Sequence, residues 1–147
     1  MRDKSNKLLI DGLGIEKIAL KYSTPLYCYS YKKIKENINN FKNYFKEINP
    51  IICFSVKSNS NNKILSEIKK LGLGADVVSI GELMKALKAG IKANKIVFSG
   101  VGKTSNELSF AIDKKILLIN AESKSEILEI ERIAKIKRKK VNIGIRL

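Results

Sequence analysis

A chain of 147 residues with 44% hydrophobic side chains has the size of a single domain and enough apolar material for a core, which excludes wholesale disorder. It contains no histidine, which excludes His-based triads and most zinc sites. The formal charge of +15 suits a nucleic-acid partner in principle, but the excess is nearly all lysine spread along helix faces. The one dense run, Lys135 to Lys140, lies near an expected helix end, where cations complement the dipole.

In chain order, the polar start Met1 to Lys7 leads into a few apolar residues broken by Asp11, Gly12 and Gly14. That is neither a signal sequence nor a membrane span, so a cytoplasmic protein without a membrane partner is expected. Residues 8–29 read as short extended pieces around a glycine-bearing turn. Ser30 is a fair N-cap, and Ile34, Ile38, Phe41, Phe45 and Ile48 recur at helical spacing up to Asn49-Pro50. Cys28 and Cys53 both fall in apolar, strand-like runs and read as two buried free thiols rather than a disulfide or a metal site.

The segment Ile51-Ile-Cys-Phe-Ser-Val-Lys57 has strand length. Alternation places Ile52, Phe54 and Val56 on one face and Cys53, Ser55 and Lys57 on the other. Such a strand suits the wall of an α/β barrel, where active sites gather at the strand ends. A lysine there can serve as an imine-forming amine, although a lysine ending a strand is, taken alone, usually only a solvated terminus.

From here a regular alternation sets in, with strand-like runs beginning near Ile51, Ala75, Lys95, Ile116 and Val141. Helical patterns intervene, such as Ile64, Leu65, Ile68 and Leu71, or Ile127, Ile130, Ile133 and Ala134. Three junctions spell capping boxes, Ser79…Glu82, Thr104…Glu107 and Ser123…Glu126, and Gly72 and Gly90 stand where helices should stop. Strands alternating with helices predict a parallel sheet with right-handed crossovers. In the last strand Val141, Ile143, Ile145 and Leu147 face outward, and Asn142, Gly144 and Arg146 inward. An inward arginine calls for a phosphate or carboxylate ligand, or else an ion pair with a neighbouring strand. Ser99-Gly-Val-Gly-Lys-Thr104 ends like a P-loop but has Val97 where the first glycine belongs, and reads as a βα loop.

Taken together, these segments resemble the alanine-racemase-type, pyridoxal-phosphate-binding barrel decarboxylases, and among them the diaminopimelate decarboxylases. The resemblance runs from about Leu8 to Leu147. It rests on Thr24-Pro-Leu-Tyr27, Ser55-Val-Lys-Ser-Asn59, Gly74-Ala-Asp-Val-Val-Ser79, Gly81-Glu-Leu83, Lys95-Ile-Val-Phe-Ser-Gly-Val-Gly-Lys-Thr104, Glu107-Leu108, Ile119-Asn120 with Glu122-Ser123, and Ile145-Arg146. It departs from the family where serines flank Lys57 in place of alanines, at Ile80 in place of glycine, and at Ala121 in place of valine.

The resemblance implies a parallel (β/α) barrel, with about the first five strands present over residues 31–147. It implies an N-terminal segment, residues 1–30, that pairs with an absent C-terminal β domain. It makes Lys57 the catalytic lysine that carries pyridoxal 5'-phosphate, with Asp76 and Arg146 beside the cofactor and no metal. Asp76 could also be a plain strand-end carboxylate, and capping already accounts for Glu82. The implied reaction removes carbon dioxide from the D-configured centre of meso-diaminopimelate to give L-lysine, in a full-length homodimer acting on a small amino acid. Because a closed barrel needs eight strands, the chain is expected to be an N-terminal part, inactive alone, with an exposed edge and apolar face at the fifth strand. A non-enzymatic cofactor-binding or regulatory protein and a basic nucleic-acid-binding domain are the alternative readings.

Overall fold

The structure is a computed structural model that describes residues 7–147. The chain divides into two units, Met1–Asn49 and Pro50–Leu147.

In the first unit, β1 (Leu9–Ile10) and β2 (Leu13–Gly14) form an antiparallel ribbon. Asp11 and Gly12 close it with φ of 49° and 86°, the positive values that a two-residue turn of matching twist demands. Helix α1 (Ile15–Tyr22) follows at once, where the sequence reading had extended chain. Its N-cap is Gly14, which offers no side-chain bond, so the usual start signal is missing. Helix α2 (Tyr31–Tyr44) begins as expected: the Ser30 hydroxyl accepts from the Lys33 amide at 2.9 Å. The Asp11 carboxylate accepts from the Ser30 hydroxyl and from the Lys32 amide, and these bonds, Ser30 first, hold its pKa below the usual carboxylate range. A 3₁₀ turn, Lys46–Ile48, and a left-handed Asn49 end the unit. Cys28 is exposed, not buried: its run is apolar in sequence but lies outside any strand.

The second unit holds β3 (Cys53–Ser55), β4 (Gly74–Val77), β5 (Ile96–Phe98), β6 (Leu118–Ala121) and β7 (Ile143–Ile145), all parallel and adjacent in sequence order. Helices α3 (Asn62–Lys70), α4 (Ile80–Lys88), α5 (Ser105–Lys114) and α6 (Lys124–Lys137) alternate with them. The core lies between strands and helices. Ala75, Val77, Ile96, Phe98, Ile119 and Ala121 are buried from the sheet, and Leu65, Ile68, Leu83 and Leu108 from the helices. Gly72 and Gly90 end α3 and α4 with φ of 77° and 86°. Each helix closes with paired backbone bonds, Leu73 to Ile68 and Gly72 to Lys69 in α3, Ile91 to Ala86 and Gly90 to Leu87 in α4. The buried Leu73 and Ile91 then lead the chain back to the sheet.

The sheet is open, with β3 and β7 at its edges, and Ile143 and Ile145 lie exposed on the outward side of β7. At Gly74 a Cβ would meet the Lys95 carbonyl oxygen at 2.0 Å, so β4 and β5 approach there only because the position is glycine. Gly74→Ala is therefore expected to destabilise the second unit by about 1–3 kcal/mol, read as a lower denaturant midpoint.

Asp113 at the end of α5 bridges Lys137 and Lys139 at 2.6 and 2.7 Å, tying α5 to the exit of α6. Hydrogen bonds from Lys137 and then Lys139 lower its pKa from 3.8 to about 2. A depressed carboxyl stabilises the fold above its unfolded pKa and loses that contribution as pH falls from 3.8 towards 2. Over that window the melting temperature of Asp113→Asn should fall less steeply than that of the parent chain; parallel curves would contradict the assignment.

Candidate functional site

The face of the sheet opposite the helices carries different chemistry. Ser55 pairs in register with Asp76, and Asn120 with Gly144, so the alternation of all these strands is in phase. Ser55, Asp76, Asn120 and Gly144 are all half-buried.

Lys57 was expected on this face by strand alternation, but the strand ends at Ser55, and Val56–Ser58 is a 3₁₀ turn. The turn buries Val56 completely and leaves Lys57 exposed just beyond the end of β3. The Ser58 hydroxyl donates to the Ser55 carbonyl at 2.7 Å, and the Asn59 amide to the Val56 carbonyl at 3.0 Å. The small polar residues after the lysine thus fix the turn that presents it.

Asp76 sits on the adjacent strand. Its Oδ1 accepts from the Ser99 hydroxyl at 2.6 Å, and the Ser99 Oγ accepts from Asn120 Nδ2 at 3.0 Å. Beside Asp76, the Ser55 Oγ is buried and has no hydrogen-bond partner, a costly state for a hydroxyl unless something else meets it. Burial, then the Asp76 charge, pushes the Cys53 thiol up, away from the reactive thiolate. Among the described residues, no group of three or more Cys, Asp or Glu side chains is placed to hold a metal.

Arg146 follows β7 and is exposed. It pairs with Glu122, just beyond the end of β6, at 3.4 Å.

Sequence reasoning passed over Lys103, in the loop from β5 to α5. Its side chain is 1% exposed, and its ammonium donates to the Gly100 carbonyl at 2.6 Å, the Asn120 carbonyl at 2.7 Å and Glu126 Oε1 at 2.8 Å. All three ammonium protons are used. The signal available was the Gly-Val-Gly before the lysine, since Gly100 and Gly102 have φ of 95° and 70° and curl the loop back over it.

The three capping boxes also resolve differently. Only Thr104 and Glu107 form the reciprocal pair. Ser79 and Ser123 do cap their helices, but Glu82 and Glu126 reach one residue further back, to the amides of Val78 and Glu122 at 2.9 and 2.8 Å. For Glu126 this leaves the other carboxylate oxygen for Lys103.

Removing one partner of a buried pair strands the other charge. Lys103→Met is expected to cost about 3–5 kcal/mol in chemical denaturation, and adding Glu126→Gln should restore part of that loss. A Lys103→Met chain as stable as the parent would contradict the buried pair.

Against known proteins, residues 31–147 match the family described as pyridoxal-dependent decarboxylase, pyridoxal binding domain. The chain is 48% identical over 132 residues to a diaminopimelate decarboxylase of Helicobacter pylori strain J99, covering 90% of this chain and 33% of that protein. Its fold matches the crystal structure of diaminopimelate decarboxylase from M. jannaschii with a TM-score of 0.95 at 35% identity, over 100% of this chain and 35% of that one. It matches the Helicobacter pylori diaminopimelate decarboxylase complexed with L-lysine with a TM-score of 0.87 at 46% identity, over 91% of this chain and 34% of that one. The chain spans about a third of the length of these relatives.

Proposed function

The chain belongs to the pyridoxal-dependent decarboxylases, matching their pyridoxal-binding domain over residues 31–147, and on that premise we propose that Lys57 carries pyridoxal 5'-phosphate in an enzyme that converts meso-diaminopimelate to L-lysine. The observation that carries this reading is the placement of Lys57. Its amine stands exposed beyond β3, on a turn fixed by its own hydrogen bonds, at the end of the strand whose neighbour presents Asp76.

The groups present fit such a cofactor. Lys57 offers an amine for covalent attachment. Asp76 has one oxygen held by Ser99 and the other without a partner among the described residues. The orphaned Ser55 hydroxyl lies level with it and can donate to a polar ring substituent. Arg146 pairs with Glu122, whose side chain is largely buried, but its own guanidinium is exposed, so an incoming anion can reach it from solvent. When bound, pyridoxal phosphate supplies an electron sink for the pair left behind as carbon dioxide departs. The residues of this chain hold and orient: Lys57 Nζ binds, and as a free amine can carry a proton, while Asp76 presents a fixed acceptor.

The substrate follows from the likeness to diaminopimelate decarboxylases at 48% and 46% identity, one of them complexed with L-lysine. The proposal extends to a homodimer taking a small amino acid. Among the described residues, no helix is long and apolar enough to cross a membrane.

The test is borohydride trapping of pyridoxal phosphate on the purified chain, followed by peptide mass mapping. The expected result is a phosphopyridoxyl mass on the Lys57 peptide that Lys57→Ala abolishes. Label scattered across the many other lysines would refute a selective site. For the substrate, the expected outcome is carbon dioxide release from meso-diaminopimelate but not from ornithine by a chimera in which this chain replaces the matching third of a diaminopimelate decarboxylase, and none by the chain alone.

A further inference from the structure

In the proposed site Asp76 is aimed by the residues behind it. Their hydrogen bonds can run in one direction only. A carboxylate only accepts, and a serine hydroxyl has one proton to give. Ser99 must therefore donate to Asp76 Oδ1, at 2.6 Å, which leaves Ser99 Oγ able only to accept. The group facing it from Asn120 must then be the amide nitrogen, at 3.0 Å, and Asn120 Oδ1 must turn the other way, towards β7.

That is where Gly144 sits. A Cβ at 144 would lie 2.4 Å from Asn120 Oδ1. Gly144 needs no left-handed backbone, so its lack of a side chain answers to the Asn120 amide and not to local conformation. The backbone on both sides is also held. The Ser99 amide donates to the Val77 carbonyl at 2.8 Å, and the Asn120 carbonyl accepts from the buried Lys103 at 2.7 Å.

We propose that Ser99 and Asn120 are positioning residues, a one-directional hydrogen-bond relay that holds Asp76 with its free oxygen presented to the pyridoxal site, and that Gly144 provides the space the relay needs. The proposal rests on the pyridoxal reading for its purpose, but the relay itself is a property of the chain without ligand.

The experiment uses the ¹⁵N-labelled chain, first without and then with pyridoxal phosphate. In the ligand-free chain one Asn120 side-chain amide proton should lie downfield and exchange with solvent about tenfold more slowly than an unbonded amide. Ser99→Ala should abolish both signatures and Ser99→Thr, which keeps the hydroxyl, should preserve them. Gly144→Ala should abolish them without altering Ser99 or Asp76. Asp76→Ala should shift the same resonance, although no hydrogen bond joins the two residues, and a merely structural asparagine would not respond.

With ligand, Ser99→Ala and Gly144→Ala should each weaken pyridoxal phosphate binding about tenfold, and Ser99→Thr should restore it. Should Ser99→Ala fail to fold, Gly144→Ala and Ser99→Thr carry the same comparison. An Asn120 amide indifferent to both Ser99→Ala and Gly144→Ala overturns the relay. Intact signatures lost on mutation, with unchanged pyridoxal phosphate affinity, overturn its positioning role. If the parent chain binds no pyridoxal phosphate at Lys57, the cofactor reading and the positioning role fail together, while the amide signatures still decide whether the relay exists.

Discussion

In a parallel sheet whose strands run in sequence order, register decides chemistry. Each side chain alternates between faces, so a slip of one residue in any strand would exchange its core residues for its polar ones. Here the pairings Ser55 with Asp76, Asp76 with Val97, Val97 with Leu118, and Asn120 with Gly144 keep every strand in phase. One face is consequently a continuous apolar layer closed by α3 to α6. The other carries a polar strip of Ser55, Asp76 and Asn120, together with Val97 and Leu118. Neither the hydrogen-bonded row across β4, β5 and β6 nor the placement of Lys57 beyond β3 would survive a shift of that register.

The rim of the strip is held by glutamates in the first turns of the helices. Glu82 returns to the Val78 amide, Glu126 to the Glu122 amide and Lys103, and Glu107 binds both the Thr104 amide and, across the junction, the Ile80 amide of α4. The Thr104 amide bond is the largest cause holding the Glu107 carboxyl below its usual range. Each carboxylate satisfies backbone donors that a helix start leaves open, and in doing so joins the end of a strand to the helix that follows.

Much of this was legible in the residues, because it depends on period and punctuation. The five strand starts, the stop at Gly72 and Gly90, the Ser30 cap and the outward apolar face of β7 all follow local rules. What was not legible depends on partners distant in sequence or on the absence of a signal. Helix α1 has no capping side chain to announce it. The turn at Val56–Ser58 interrupts an alternation that runs on unbroken in the sequence. Arg146 finds Glu122, and Lys103 finds Glu126, from more than twenty positions away. The polarity of Asn120 is set by Ser99 and Asp76, more than twenty positions earlier in the sequence. The comparisons supply the family, whereas these contacts supply the geometry that the family name alone would not give.

The burial of Lys103 also makes it chemically unlike the surface lysines around it. An ammonium that is 1% exposed and fully bonded cannot present a lone pair to an electrophile. Acylating reagents should spare it while they modify the exposed lysines, Lys57 among them. Its modification would report an opening of the β5 to α5 loop, so the ratio of reaction at Lys103 to reaction at Lys57 becomes an internal gauge of local unfolding in a protein rich in competing amines.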